Sequence, residues 1–145
     1  HGPLALMQAV LPHLPSGATI VNVTSSAADS VPVVPGAVRR YGLGYAASKA
    51  ALNRMGNAVA AELWEDGILV VTLDPGSVMT ERRVATADPA DRTATHVVGP
   101  AVPAVAVAHL LTVADREPWI GTHVRAPEVV PRLGLTSALP ADARS

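Results

Sequence analysis

Two short, continuous apolar runs lie on either side of a long alanine-rich segment. The runs are residues 18–23 and 68–73, and both are rich in valine and isoleucine. Runs of this kind are typical of strands buried on both faces of a parallel sheet. The segment between them, 45–65, is small and apolar around most of its circumference, which predicts a helix buried on more than one side. Strand, helix and strand in this order predict an α/β layer fold.

The rest of the chain continues the alternation of helices and strands. Residues 3–14 have the pattern of an amphipathic helix, closed by a turn of proline, serine and glycine. Residues 100–113 carry a helical pattern of alanine, valine and leucine, with prolines placed where a first turn accepts them. Residues 120–124 are expected to form a last short strand. The fold class predicted is α/β, with a mostly parallel sheet and helices on both faces.

Three segments carry no clear periodicity. Residues 27–44 contain several prolines and glycines, and residues 81–97 are polar and charged, so both are expected to be loops. The first loop is longer than usual connections, which favours a functional role. Residues 133–145 are expected to be a poorly ordered tail, leaving residues 1–132 as the folded part.

Composition excludes several classes of function. The 145 residues carry a net charge of -1, with isolated arginine pairs and no basic face for nucleic acid. The chain has no cysteine, which is compatible with a cytoplasmic protein, and its five histidines are scattered, so we expect no metal site. Apolar stretches are too short to span a membrane, and no leader pattern is visible. The chain opens within a helical pattern, so we expect it to be a fragment.

The chain's only lysine, Lys49, follows four residues after Tyr45. On a helix this spacing places the ammonium and the phenol on one face. A compact cation beside a phenol favours the phenolate and suits the pair to general acid–base chemistry. The alternative is a chance pair on an amphipathic helix.

Polar candidates also follow each predicted strand. Ser25 comes after the first strand, and a proline–glycine motif opens the segment 75–80 after the second. In open α/β sheets, binding sites lie beyond the carboxyl ends of the strands. Taken alone, a serine at this point is more often a helix cap, and a proline–glycine pair is usually only a turn.

Taken together, these motifs resemble the catalytic half of the short-chain dehydrogenase/reductases. The similar segments are IVNVTSS at 20–26, YAASKAAL at 45–52 and VVTLDPGSVMT at 70–80. Residues 1–14 look like that family's fourth helix and residues 119–126 like its last strand. The resemblance covers residues 1–126 and implies a partial Rossmann-like, doubly wound fold whose N-terminal half is missing.

The resemblance implies roles for individual residues. Tyr45 matches the family's catalytic acid–base, and Lys49 matches the lysine that favours its phenolate and holds the nicotinamide ribose. Ser25 matches the serine that hydrogen-bonds the substrate carbonyl or hydroxyl, with Ser26 as the second choice. The expected reaction is hydride transfer between a nicotinamide cofactor and a carbonyl compound or secondary alcohol.

The segment after the second strand is expected to bind the same cofactor. Pro75, Gly76 and Val78 match the residues that line the nicotinamide in this family, and Thr80 matches the threonine that contacts its carboxamide or pyrophosphate. The resemblance implies NAD or NADP and does not decide between them.

The sequence departs from the family pattern in two respects. Ser25 and Tyr45 lie 20 positions apart, an interval longer than usual for the family. The glycine-rich phosphate turn is also missing, as is the asparagine of the catalytic tetrad, which would fall upstream of residue 1. Residues 42–47 satisfy G-x-G-x-x-A, but they follow a polar run rather than a strand, so we interpret them as the entry to the helix. Tyr41 has no lysine four residues later.

Three hypotheses remain open. The first is the C-terminal half of a short-chain oxidoreductase. The second is a non-catalytic remnant or oligomerisation module, in which helices 3–14 and 45–65 form the contact between copies. The third is an epimerase or dehydratase with the same tyrosine–lysine pair, which the short C-terminal region disfavours.

Overall fold

A computed structural model describes residues 2–29, 42–86 and 97–139. Its helices, in chain order, are α1 (Gly2–Val10), α2 (Leu43–Leu63), α3 (Glu81–Thr86), α4 (Ala101–Thr112) and α5 (Ala126–Arg132). Its strands are β1 (Thr19–Val23), β2 (Leu69–Asp74), β3 (Ser77–Val78), β4 (Val97–Val98) and β5 (His123–Arg125). Short 3-10 turns cover Leu11–His13, Ser26–Ala28, Glu117–Trp119 and Leu135–Ala138.

The predicted α/β class is confirmed. The main sheet has the order β1-β2-β5, and β1 and β2 run parallel, with Thr19 opposite Leu69 and Val23 opposite Leu73. The strand β2 is buried along its whole length, as its continuous apolar pattern predicts. A second, two-stranded sheet pairs β3 with β4 in parallel.

The described residues form two compact units. The first unit consists of His1–Leu73 and Ala114–His123. Its core is built on Ala60, Ile68 and Val70. Partly buried side chains packed against these three are Leu11, Leu14, Ala18, Ile20, Val59, Leu63 and Ile120. The core therefore joins α2 to the beginnings of both parallel strands.

Gly56 brings α2 close to the sheet in the first unit. A Cβ atom at this position would lie 2.5 Å from Thr72 Oγ1 and 3.3 Å from Asn22 Nδ2, which are closer than ordinary contacts. Thr72 and Asn22 are themselves buried. The helix can approach the strands this closely because the residue has no side chain.

The second unit consists of Asp74–Val113 and Val124–Ser145. In it α4 packs against α5. The buried side chains of these two helices are Ala106, Leu110, Ala126, Val129 and Val130. Alanine, valine and leucine fill this unit's interior, as expected for a chain without phenylalanine.

The structure corrects several element boundaries. The first helix ends at Val10 and continues as a 3-10 turn, in which Pro12 removes an amide donor. The last strand covers His123–Arg125 rather than 120–124, because Glu117–Trp119 form a turn and Gly121 takes a positive φ.

One segment expected to be a loop contains a helix, and a second helix lies where none was predicted. Residues Glu81–Thr86, expected to be loop, form α3, which begins with a glutamate in its first turn. Helix α5 was not expected, since Pro127 and Pro131 obscure its pattern. Within the expected tail, Leu135–Ala138 form a turn and Leu139 is buried. The expectations for residues 30–41, 87–96 and 140–145 lie outside the described residues.

Candidate active site

Tyr45 and Lys49 lie in the first two turns of α2. The Lys49 Nζ is 5.8 Å from the centre of the Tyr45 ring, so the predicted proximity of cation and phenol is present in the structure. Tyr45 is 43% exposed. The Lys49 ammonium donates a hydrogen bond to the Val23 carbonyl at 2.7 Å. That bond holds the lysine at the carboxyl end of β1.

Ser25 follows the same end of β1. Its Oγ accepts a hydrogen bond from the Ala27 amide at 3.2 Å, so the side chain caps the turn Ser26–Ala28. The turn packs against α2. The hydroxyl oxygen acts as an acceptor in this bond, so its proton is available for donation to another group. Ser25 is therefore both a cap and a possible donor, whereas Ser26 begins the turn itself.

A chain of polar contacts that the sequence did not predict lies beside these residues. Asp29 Oδ1 accepts from Asn53 Nδ2 at 3.1 Å, and Asp29 Oδ2 lies 3.0 Å from His123 Nδ1. The buried Thr24 hydroxyl donates to Asn53 Oδ1 at 2.5 Å. Asn53 lies four residues after Lys49 on α2, a spacing that could have indicated it. Asp29 and His123 are distant in sequence and carry no such signal.

In the second unit, a buried carboxylate holds the segment that begins at Pro75. Asp74 is 1% exposed, and its Oδ1 accepts from the Gly76 amide at 3.0 Å. Its Oδ2 accepts from Arg125 Nε at 3.4 Å. Gly76 has φ +80°, and a Cβ there would lie 2.5 Å from Pro127 Cγ. Only glycine fits this turn without strain.

The remaining candidates also lie in this unit. Val78 is the second residue of β3, and the amide of the next residue, Met79, donates to the Val98 carbonyl at 2.9 Å. The Thr80 Oγ1 accepts from the Arg83 amide at 3.3 Å, at the start of α3. Tyr45, Lys49 and Ser25 thus belong to one unit, and Pro75, Gly76, Val78 and Thr80 to the other.

Two donors of the first unit are suited to holding hydroxyl groups of a ligand. Lys49 presents an ammonium and Tyr45 a phenol, and both can hydrogen-bond hydroxyl groups. Gly42, the residue before α2, has φ +68°, a conformation that glycine adopts without strain. Within the described ranges, no cluster of three or more histidine or acidic residues could hold a metal ion. None of the described helices has both the length and the apolar character to cross a membrane.

Known structures resemble this chain over most of its length. An angucycline C-6 ketoreductase, LanV, with bound NADP is 25% identical, with a TM-score of 0.67, covering 86% of this chain and 48% of that chain. A short chain dehydrogenase from Burkholderia cenocepacia in complex with NADP is 30% identical, with a TM-score of 0.65 and coverages of 81% and 47%.

A third similar structure is a blue fluorescent protein from a metagenomic library in complex with NADPH. It is 26% identical, with a TM-score of 0.67, and the match covers 85% of this chain and 49% of that chain. The chain thus spans about half the length of these proteins. A comparison with curated protein sequences finds no match. The sequence profile of the family described as short chain dehydrogenase matches residues 1–90. The chain therefore belongs to the short-chain dehydrogenase family.

Proposed function

We propose that this chain carries the catalytic residues of an NAD(P)-dependent oxidoreductase that interconverts a carbonyl compound and a secondary alcohol. The observation that carries the proposal is the pairing of Tyr45 with Lys49 at the carboxyl end of β1, where Lys49 donates to the Val23 carbonyl. An exposed phenol beside a fixed ammonium is suited to proton transfer at an oxygen atom.

In the proposed reaction, Tyr45 gives a proton to the substrate oxygen during reduction and removes it during oxidation. Negative charge builds on that oxygen in the reductive direction, and donors aimed at it stabilise the transition state. Ser25 supplies one such donor and Tyr45 the other. Lys49 stabilises the phenolate that remains after the proton has left.

NAD or NADP, when bound, supplies or accepts the hydride. On this proposal, Lys49 and Tyr45 hold the nicotinamide ribose, and Pro75, Gly76, Val78 and Thr80 hold the nicotinamide end. The similarity to structures containing NADP or NADPH supports this class of cofactor.

Proton transfer by Tyr45 can be separated from cofactor binding. In the polypeptide as its gene encodes it, Tyr45→Phe should weaken NADPH binding by at most about tenfold, because it loses one hydrogen bond to the ribose while Lys49 remains. Its rate of NADPH oxidation with ketones should fall by about 10²–10⁴-fold, the usual contribution of a general acid–base. Nucleotide fluorescence gives the affinity and absorbance gives the rate.

Tyr41→Phe is the matched control, since it removes a tyrosine hydroxyl four residues before Tyr45. This variant should keep the wild-type rate. A Tyr45→Phe protein that turns over at the full rate would show that the proton comes from elsewhere. If neither NADPH nor NADH binds, the catalytic proposal as a whole is wrong.

We also propose that residues 1–132 are the C-terminal half of a larger short-chain dehydrogenase domain. The coverage of about half of each similar structure supports this. The adenosine end of the cofactor would then be bound by residues that are not among the 145 of this sequence. Intact-mass measurement of the polypeptide from its source tests this proposal. A mass near 14.9 kDa would contradict it.

A second candidate function is assembly with another copy through α1 and α2. The observation that favours it is a small apolar surface on these helices, with Leu6 65% and Leu43 77% exposed. Ala47, Ala50 and Ala51 of α2 are exposed as well. Light scattering should then give a multiple of the monomer mass, and Ala50→Glu should reduce it to the monomer. A wild-type monomer at micromolar concentration would exclude assembly.

A further inference from the structure

We propose that Asp29 is a positioning residue that holds the Ser25 turn against the helix carrying Tyr45 and Lys49. This inference rests on the proposed roles of Ser25 and Tyr45. Asp29 directly follows the turn Ser26–Ala28, and its amide donates to the Ser26 carbonyl at 3.2 Å. Its carboxylate therefore moves with the turn that Ser25 caps.

The two carboxylate oxygens of Asp29 reach two different elements. Oδ1 accepts from Asn53, one helical turn after Lys49 on α2, and Oδ2 lies beside His123 at the start of β5. On its other side, Asn53 accepts from the buried Thr24, the residue before Ser25. The chain segment around Ser25 is thus fixed to α2 on both sides of the serine.

We call the contacts of Asp29 with Asn53 and His123 the clamp. The clamp should affect the rate of catalysis more than the stability of the fold. The Asp29 side chain is 55% exposed, and exposed ion pairs contribute little to the free energy of unfolding. A small displacement of Ser25 relative to Tyr45, in contrast, would misplace two donors that must reach the same substrate oxygen. Displacements of about 1 Å at a reacting centre can cost on the order of 100-fold in rate.

Substitutions at both ends of the Asp29–Asn53 contact test the clamp in the polypeptide as its gene encodes it. Asp29→Ala and Asn53→Ala should each lower kcat by about tenfold or more, within the range that misplacement allows, with little change in NADPH affinity. The loss of kcat in the double variant should be smaller than the product of the two single losses, because both single variants remove the same Asp29–Asn53 contact. Asp29→Asn keeps an oxygen for Asn53 and should recover most of the rate.

Glu62→Gln is the control for loss of a carboxylate, since Glu62 is an exposed residue of the same helix. It should leave kcat, affinity and the unfolding midpoint unchanged. If Asp29 merely stabilises the fold, Asp29→Ala should lower the unfolding midpoint without a selective loss of kcat. That result, or independent effects that multiply in the double variant, would overturn the proposal.

Hydrogen exchange gives a readout that needs no turnover. The amides of Ala27 and Ala28 donate to Ser25 Oγ and to the Ser25 carbonyl, so they report on the turn directly. They should exchange faster in Asp29→Ala than in Glu62→Gln. If they exchange equally, Asp29 does not hold the turn, whether or not the protein is an oxidoreductase. If they exchange faster but Tyr45→Phe retains full activity, the clamp stands and the proposed function fails.

Discussion

The ammonium of Lys49 donates to the carbonyl of Val23, the last residue of β1, at 2.7 Å. This single bond joins the helix that carries Tyr45 to the strand end that precedes Ser25. It also gives a physical reason for lysine here in a chain that otherwise uses arginine. A compact ammonium can donate this short hydrogen bond and still offer its other donors to a ligand. A planar guanidinium has a different reach and shape.

Replacement of Lys49 should therefore impair both catalysis and cofactor binding. Lys49→Met removes the charge beside Tyr45 and should lower kcat by at least about 100-fold, at the lower limit of acid–base effects. It should also raise the dissociation constant for NADPH. Lys49→Arg should recover little, because charge alone does not restore the geometry. Steady-state kinetics and nucleotide fluorescence measure both effects. Arg54 is an exposed residue of the same helix, and Arg54→Met should leave both kcat and the dissociation constant nearly unchanged. Full activity of Lys49→Arg would contradict this reasoning.

Two glycines of α2 should respond to alanine in opposite directions. Gly56→Ala should destabilise the protein by about 1–3 kcal/mol, because the new Cβ would lie 2.5 Å from the buried Thr72 hydroxyl. Gly44→Ala meets nothing within 4 Å and should be neutral or stabilise the helix by up to about 1 kcal/mol. Urea unfolding of both variants gives the comparison. A Gly56→Ala protein as stable as Gly44→Ala would mean that α2 does not approach the sheet closely.

Gly76→Ala should destabilise the second unit more than Gly134→Ala. Both glycines have positive φ, which costs an alanine about 1–3 kcal/mol. Only at Gly76 would the added Cβ also meet a neighbour, Pro127 Cγ at 2.5 Å. Denaturant titration should therefore give a larger loss at Gly76, and Pro127→Ala in that background should recover part of it. Equal losses at the two positions would show that the contact with Pro127 is unimportant.

The sequence predicted the features that depend on local pattern. Continuous apolar runs predicted β1 and β2, and the alanine-rich pattern predicted α2. The predicted burial is confirmed for β2 but wrong for the other two, since Val23 of β1 is 50% exposed and the buried residues of α2, Leu52, Gly56 and Ala60, lie on one face. The i, i+4 spacing of Tyr45 and Lys49 was enough to place them together. These contacts arise within one element or between neighbouring parallel strands.

Features that depend on long-range or polar contacts were missed. Helix α3 is short and charged, so no apolar stripe indicated it, and the prolines of α5 disguised a buried helix. The link from Asp29 to His123 joins residues far apart in sequence and involves only exposed or partly exposed side chains. Nothing in a single sequence marks such a pair. The same holds for Asp74, whose partner Arg125 lies in another strand.

On the proposed function, this protein transfers hydride between a nicotinamide nucleotide and a carbonyl carbon. The most direct measurement uses NADPH or NADH with deuterium at both C4 positions of the nicotinamide, a panel of aromatic and aliphatic ketones, and the polypeptide as its gene encodes it. We expect an alcohol product that carries the deuterium on its carbinol carbon, formed by the wild type and nearly absent with Tyr45→Phe. An alcohol formed without the label, or protein that binds neither nucleotide and forms no alcohol, would contradict the account.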